Sequence, residues 1–187
     1  LLLMLDDERN DVYLHVDARA VELFNQFKDF QLKKGKLIIL KNRIAVHWGD
    51  LSQVEVEYRL FETALNNGPY AYYYLLSGVD LPIKTQDYIH EFFQKHAGKE
   101  FIGFWNEPSH RKDVYRKVYR YYLFTQYFKE GSSFVHGITA FTRNVFLGIQ
   151  KLTKFKRKHD WDNFYKGFTW VSITNDFCHY LVDKKTY

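Results

Sequence analysis

At 187 residues, with 3 prolines and 10 glycines, the chain is long enough to bury one sizeable core. It shows no linker, low-complexity tract or internal repeat, so a single domain over 1–187 is expected. The single cysteine, Cys178, and the net charge of +5 exclude an internal disulfide, fit a reducing compartment, and come with no recognised nucleic-acid module or run of membrane-spanning length.

The opening LLLML, without an initiator Met, reads as the tail of an earlier helix, and the closing DKKTY lacks a natural stop. A fragment truncated at both ends is therefore expected. Val12 to Val16 reads as a strand ending at Asp17. Ala20 to Phe30 has amphipathic helical spacing, with Val21, Phe24, Phe27 and also Leu23 as candidates to face inward, and Gly35 breaks it. Leu37 to Leu40 is a short strand, and Val46 to Trp48 a further small one before Gly49. Leu51 to Leu65 is the clearest helix, capped by Asp50 or Ser52 and ended by Asn66-Asn67-Gly68-Pro69.

Tyr72 to Leu76 is apolar without alternation, the pattern of a strand buried on both faces in the middle of a sheet. Ser77-Gly78 turns the chain, Asp80 places a carboxylate past the strand end, and Pro82 stops continuation before Thr85 caps a helix reaching His96. Phe101 to Trp105 is a strand and Asn106 to Ser109 a loop. Arg111 to Phe128 fits strand or helix equally. Ile138 to Leu152 reads as a helix, Tyr165 to Ile173 contains a strand, and Asn175 to Val182 forms a final helix capped by Thr174 or Asn175. The alternation argues for an α/β domain with a mostly parallel sheet flanked by helices.

No Walker loop, GxGxxG, HExxH, CxxC or GxSxG is present, which argues against P-loop nucleotidases, dinucleotide enzymes, the commonest zinc sites and common serine hydrolases. Three features remain. His15 and Asp17 share one face of their strand, where the carboxylate could accept from a ribose or uracil, or cap the next helix; both readings stand. Asp160-Trp161-Asp162 has the spacing that holds a divalent ion against a diphosphate, yet the preceding KFKRKH is basic rather than an apolar strand, which favours a surface loop. Two basic runs, Lys151 to Lys158 and Arg111 to Arg120, could stabilise a leaving diphosphate in place of a metal, or form solvated faces. Aromatic residues, 19% of the chain, serve the core first and also suit sugar-binding surfaces.

Four stretches in order, VYLHVDARA, HWGDLSQVEVEYRLFETAL, YYYLLSGVDLPIKT and YKGFTWVSITNDFCHYLV, resemble the core-2/I-branching β-1,6-N-acetylglucosaminyltransferase family (glycosyltransferase family 14), which includes the peptide xylosyltransferases. The resemblance implies a GT-A-type, Rossmann-like fold. It also implies inverting transfer of a sugar, N-acetylglucosamine in the typical case, from a UDP-sugar to an acceptor glycan hydroxyl, with no metal cofactor. A non-catalytic carbohydrate- or nucleotide-binding domain of the same fold is the alternative.

By that resemblance Val16, Asp17 and Arg19, with Trp48, Gly49 and Ser52, lie on the donor side, and Ser77 and Asp80 brace a loop beside it. Glu107, Arg111, Gly167, Thr169 and Trp170 lie on the acceptor side. The family's basic pattern there meets Val114 in place of a second cation, which leaves acceptor identity open. The catalytic Glu and the main diphosphate ligands are expected beyond Tyr187, so no catalytic residue is assigned. The implied partners are a UDP-sugar and an oligosaccharide, glycolipid or polysaccharide acceptor, with no nucleic acid. One cysteine points to a bacterial, cytoplasmic enzyme peripheral at the inner membrane face.

Overall fold

The computed structural model describes residues 1–105, 108–127, 132–160 and 163–185. Its elements are, in chain order, β1 (Asp11–Leu14), α1 (Val21–Phe27), β2 (Lys36–Ile39), α2 (Ser52–Leu65), β3 (Tyr72–Tyr74) and α3 (Gln86–Lys95). They continue with β4 (Phe101–Trp105), α4 (Pro108–Val118), α5 (Ser133–Thr153), β5 (Lys166–Thr174) and α6 (Asn175–Asp183). The chain forms two compact units. The first holds Leu1–Val46, Val54–Ile102 and Thr169–Tyr187, the second His47–Gln53 and Gly103–Phe168.

In the first unit β1 and β2 pair in parallel, Asp11 opposite Lys36 through Leu14 opposite Ile39, with α1 in the crossover that a parallel pair requires. The approach to β2 is held by Asp6, whose carboxylate accepts the N–H groups of Lys33, Lys34 and Gly35 at 3.0, 2.8 and 3.0 Å. Only glycine fits at position 35, because a Cβ there would lie 2.5 Å from the Asn10 carbonyl oxygen and 2.8 Å from that of Asp7.

The buried core of this unit gathers Phe61 and Ala64 of α2, Tyr73 of β3, Leu75, Ile173 of β5 and Cys178 of α6. Full burial of apolar side chains of this size stabilises by about 1.5–3 kcal/mol each. Burial also pushes the Cys178 thiol up to about 12, so it is inert packing rather than a nucleophile. Thr174 caps α6 by accepting the Phe177 N–H at 3.3 Å, and Thr85 caps α3 through the Tyr88 N–H at 3.3 Å.

The structure differs from the sequence expectation in four places. Among the described residues β1 and β2 pair in parallel; the other sheet has the order β3-β5-β4, with β3 antiparallel to β5 and Tyr73 opposite Ile173. β3 is an outer strand of that sheet, and burial along it alternates, Tyr73 and Leu75 in, Tyr74 and Leu76 out. The tyrosines account for this, since each hydroxyl needs a polar partner: Tyr73 donates to Asn175 Oδ1 at 3.0 Å and Tyr72 to the His96 carbonyl at 2.7 Å.

Val46 to Trp48 is not a strand. The Val46 N–H is taken by the Asp17 carboxylate at 3.0 Å and the His47 N–H by the Ser52 hydroxyl at 2.9 Å, leaving neither for a ladder. The ambiguous stretch from Arg111 is helical as far as Val118, in α4, helped by Asp113 pairing with Arg116 at 2.9 Å and Lys117 at 2.8 Å at helical spacing. The opening segment is a short 3-10 turn, Leu2–Met4.

Candidate functional site

In the first unit the chain leaves β1 through His15, buried Val16 and Asp17. The Asp17 carboxylate gathers four N–H donors. Oδ1 accepts the Arg19 backbone N–H at 2.8 Å and its Nε–H at 3.0 Å, while Oδ2 accepts Arg19 Nη2 at 2.9 Å and the Val46 N–H at 3.0 Å. Arg19 Nη2 also donates to the Val46 carbonyl at 2.5 Å. The Arg19 side chain, aided by these backbone donors, holds the Asp17 carboxyl well below the usual carboxylate range.

His15 Nε2 accepts the Ile44 N–H at 2.9 Å, and burial, the largest cause, lowers its pKa; the ring is neutral with its proton on Nδ1. Val16, Asp17 and Arg19 are thus brought together as a clamp between the segments that follow β1 and β2. The acceptor capacity of Asp17 is used inside that clamp, which makes it a shaper of its loop.

Also in this unit, the turn after β3 closes on itself. Asp80 Oδ2 accepts the Ser77 N–H at 2.6 Å, and the Asp80 N–H donates to the Ser77 carbonyl at 3.2 Å. Thr169 and Trp170 lie on the exposed part of β5.

In the second unit His47 to Gln53 forms a tight turn into α2. Gly49 adopts φ +77°, a left-handed conformation that favours glycine. Ser52 is buried and receives the His47 N–H; the Ser52 N–H in turn lies 3.4 Å from Asp50 Oδ2, so Asp50 rather than Ser52 supplies the carboxylate at the helix start. Thr125 donates to Asp50 Oδ1 at 2.7 Å and is the first cause of a lowered Asp50 pKa. Trp48 presents an exposed indole beside Gly49.

The same unit holds a cluster that the sequence reading missed. The Trp105 ring at the end of β4 packs on Phe168 of β5 at 4.8 Å between centroids and on His110 of α4 at 4.8 Å. Lys166 Nζ lies 5.7 Å from the Trp105 ring centre, 3.8 Å from Asp113 Oδ2 and 3.5 Å from His110 Nδ1. Gly103 lets the Phe168 ring approach, since a Cβ there would meet it at 2.2 Å. Asp113, contacted by Lys117, Arg116 and Lys166, is held ionised with a lowered pKa, Lys117 being the first cause. Such a carboxylate is a weak proton acceptor. The legible signal was the period-two placement of Lys166 and Phe168 on one strand face.

Arg111 is exposed on α4, and Gly167 lies on β5, where a Cβ would meet the Gly103 carbonyl oxygen at 3.6 Å. Glu107, Trp161 and Asp162 lie outside the described residues. Among the described residues no group of three or more His, Cys, Asp or Glu is placed to hold a metal ion.

The fold is that of a mixed α/β protein, with one parallel strand pair and a second sheet that contains an antiparallel pair. The family model described as Branch: Core-2/I-Branching enzyme matches residues 1–187, and the chain belongs to that family. It is similar to Xylosyltransferase 1 of Canis lupus familiaris, 27% identical over 108 residues, or 57% of this chain and 11% of that protein. It is also similar to Xylosyltransferase oxt of Drosophila melanogaster, 26% identical over 91 residues, 48% of this chain and 10% of that protein. The chain spans about a tenth of the length of these curated relatives.

Proposed function

We propose that the chain is part of the catalytic domain of a metal-independent, inverting glycosyltransferase of GT-A type. It would move N-acetylglucosamine from a UDP-sugar to a hydroxyl of an oligosaccharide, glycolipid or polysaccharide acceptor. The observation that carries this reading is the match of the Core-2/I-Branching enzyme family over residues 1–187. In the reaction the acceptor oxygen attacks the anomeric carbon, the bond to the departing UDP breaks, and the hydroxyl proton passes to a carboxylate base. No carboxylate of this chain is assigned that role; Asp17 and Asp113, both held ionised by Arg or Lys, are poorly suited to it.

By the family resemblance Val16, Asp17 and Arg19 are donor-side residues, as are Trp48, Gly49 and Ser52. The brace of Ser77 and Asp80 belongs to the donor-side loop. By the family resemblance Arg111, Gly167, Thr169 and Trp170 are acceptor-side residues, with Glu107 an acidic residue displaced from the family's expected position. To these we add Trp105 and Phe168, whose apolar faces suit the C–H face of a sugar ring while Lys166, Asp113 and His110 offer polar partners at the rim. We further propose that the enzyme is bacterial and acts on the cytoplasmic face of a membrane; the buried, unpaired thiol of Cys178 supports a reducing compartment.

The names of the two relatives make UDP-xylose the competing donor. The full-length protein, incubated with UDP-N-acetylglucosamine or UDP-xylose and a panel of oligosaccharides, should release UDP only when an acceptor is present. Proton NMR should show a β-linked product from the α-linked donor. Retention of configuration, or no acceptor-dependent UDP release with either donor, would overturn the proposal; release with UDP-xylose alone would reassign the sugar.

A further inference from the structure

Helix α5, within the second unit, is built inside out. The side chains it buries are polar, Thr139, Arg143 and Gln150, and Gln150 replaces a backbone partner by accepting the Tyr121 N–H at 2.9 Å and donating to the Tyr121 carbonyl at 2.9 Å. Its exposed surface includes Thr142, Asn144 and Lys151, but one side of it is apolar. Phe134, Ile138, Phe141, Val145, Ile149 and Leu152 recur at three- and four-residue steps, and Phe134, Phe141 and Leu152 are 76%, 71% and 84% exposed. At 3.6 residues per turn the six fall within an arc of about 80°, on the side opposite Arg143 and Gln150. A continuous apolar stripe turned to solvent marks an interaction surface rather than scattered exposure.

The charge around the stripe selects its occupant. From Ser133 to His159 the sequence contains no Asp or Glu. Lys151, Lys154, Lys156, Arg157 and Lys158 lie exposed at and just beyond the C-terminal end of α5. There Lys154 ends the helix at φ 56° and Phe155, also exposed, stacks on Tyr121 with ring centres 5.5 Å apart. A narrow apolar stripe, aromatic residues at its end and cations without anions are the features of a helix that lies in the headgroup region of an anionic bilayer. Among the described residues no helix is long and apolar enough to cross a membrane.

We propose that α5 and the basic segment after it form an interfacial docking element for the surface of an anionic lipid bilayer, with the stripe from Phe134 to Leu152 inserted and Lys151 to Lys158 on the headgroups. This rests on the proposed location at a membrane face and not on the transferase chemistry, so vesicle binding and sugar transfer can fail independently.

The test is co-sedimentation of the full-length protein with vesicles of phosphatidylcholine alone or with about one third phosphatidylglycerol. Anionic vesicles should bind at least tenfold more protein, and binding should fall severalfold as salt rises from low to physiological levels, as screening requires. Phe134→Ser with Phe141→Ser, and separately Lys156→Gln with Arg157→Gln and Lys158→Gln, should each lower binding at least tenfold. All five positions are exposed, so the melting temperature should hold. Equal binding to neutral and anionic vesicles, unchanged binding in both variants, or a salt-independent dimer that dissociates in the Phe variant and binds no vesicles would overturn the proposal. Binding to homopolymeric RNA with none to vesicles would do the same.

Discussion

The carboxylate of Asp17 accepts the backbone N–H of Val46 at 3.0 Å, joining the segment that leaves β1 to the one that follows β2. The Ala18 N–H to the Ile44 carbonyl at 3.0 Å and the Ile44 N–H to His15 Nε2 at 2.9 Å join the same two segments. Because Arg19 occupies the remaining acceptor positions of the same carboxylate, the loop is held by charge-assisted hydrogen bonds, about twice as strong as neutral ones.

Asp17→Asn should therefore destabilise the protein by about 1–3 kcal/mol at neutral pH and weaken UDP-sugar binding with it. The sign with pH follows from the depressed carboxyl. Its contribution is full above the unfolded value of about 4 and is lost as pH falls through the folded pKa, because the unfolded chain takes up the proton first. Melting temperatures of wild type and variant, measured from pH 7 down to 3, should draw closer below about pH 4, with the rest of the loss at still lower pH. A gap that stays constant to pH 3 would contradict the ionised clamp.

Ser52→Ala removes the acceptor of the His47 N–H at a buried site. The expected loss is about 1–2 kcal/mol, or a few degrees in melting temperature for a chain of this size. Thermal denaturation reads it directly, and an unchanged midpoint would show that the turn does not depend on this hydroxyl.

Gly103→Ala should push the Phe168 ring off Trp105, since the new methyl would lie 2.2 Å from Phe168 Cδ2. A cost of about 1–3 kcal/mol is expected from overpacking, together with a changed tryptophan emission spectrum. Gly98→Ala, where nothing lies within 4 Å, differs in mechanism. Its φ of +80° makes it a backbone-strain control, expected to lower stability without touching that emission.

Trp105→Ala tests the aromatic plate as an acceptor surface. Trp105 is 41% exposed, so folding should survive. The acceptor KM should rise about tenfold, the equivalent of about 1.4 kcal/mol of binding, with donor affinity unchanged. Equal losses for donor and acceptor would place the ring elsewhere in the reaction.

Much of this architecture is legible in the sequence where local chemistry and burial agree. Phe101 to Trp105 forms the strand its apolar run implies, Leu51 to Leu65 is helical almost as marked, and Thr85 and Thr174 cap the helices they precede. Where side chains outcompete backbone pairing the pattern misleads. Val46 and His47 look like strand residues, yet Asp17 and Ser52 intercept their N–H groups from positions far and near in sequence. The tyrosine run at 72–74 looks buried on both faces because hydropathy cannot count hydroxyl groups that need partners. The Trp105, Asp113 and Lys166 cluster joins residues on three separate elements, a proximity that no spacing along the chain encodes. The inverted face of α5 was hidden for a related reason, since a helical period reports a stripe without saying which side turns inward.

The central claim, a UDP-sugar-dependent transferase that works without a metal, is tested most directly by thermal shift. The full-length protein would be titrated with UDP-N-acetylglucosamine, UDP-xylose and UDP, each with and without EDTA. A ligand that binds the native state raises its melting temperature by mass action, about 2.7 kcal/mol of stabilisation at a hundredfold excess over Kd. The account predicts a saturable rise with UDP and at least one UDP-sugar that EDTA leaves unchanged. No shift with any of them, or a shift that EDTA abolishes, would contradict it.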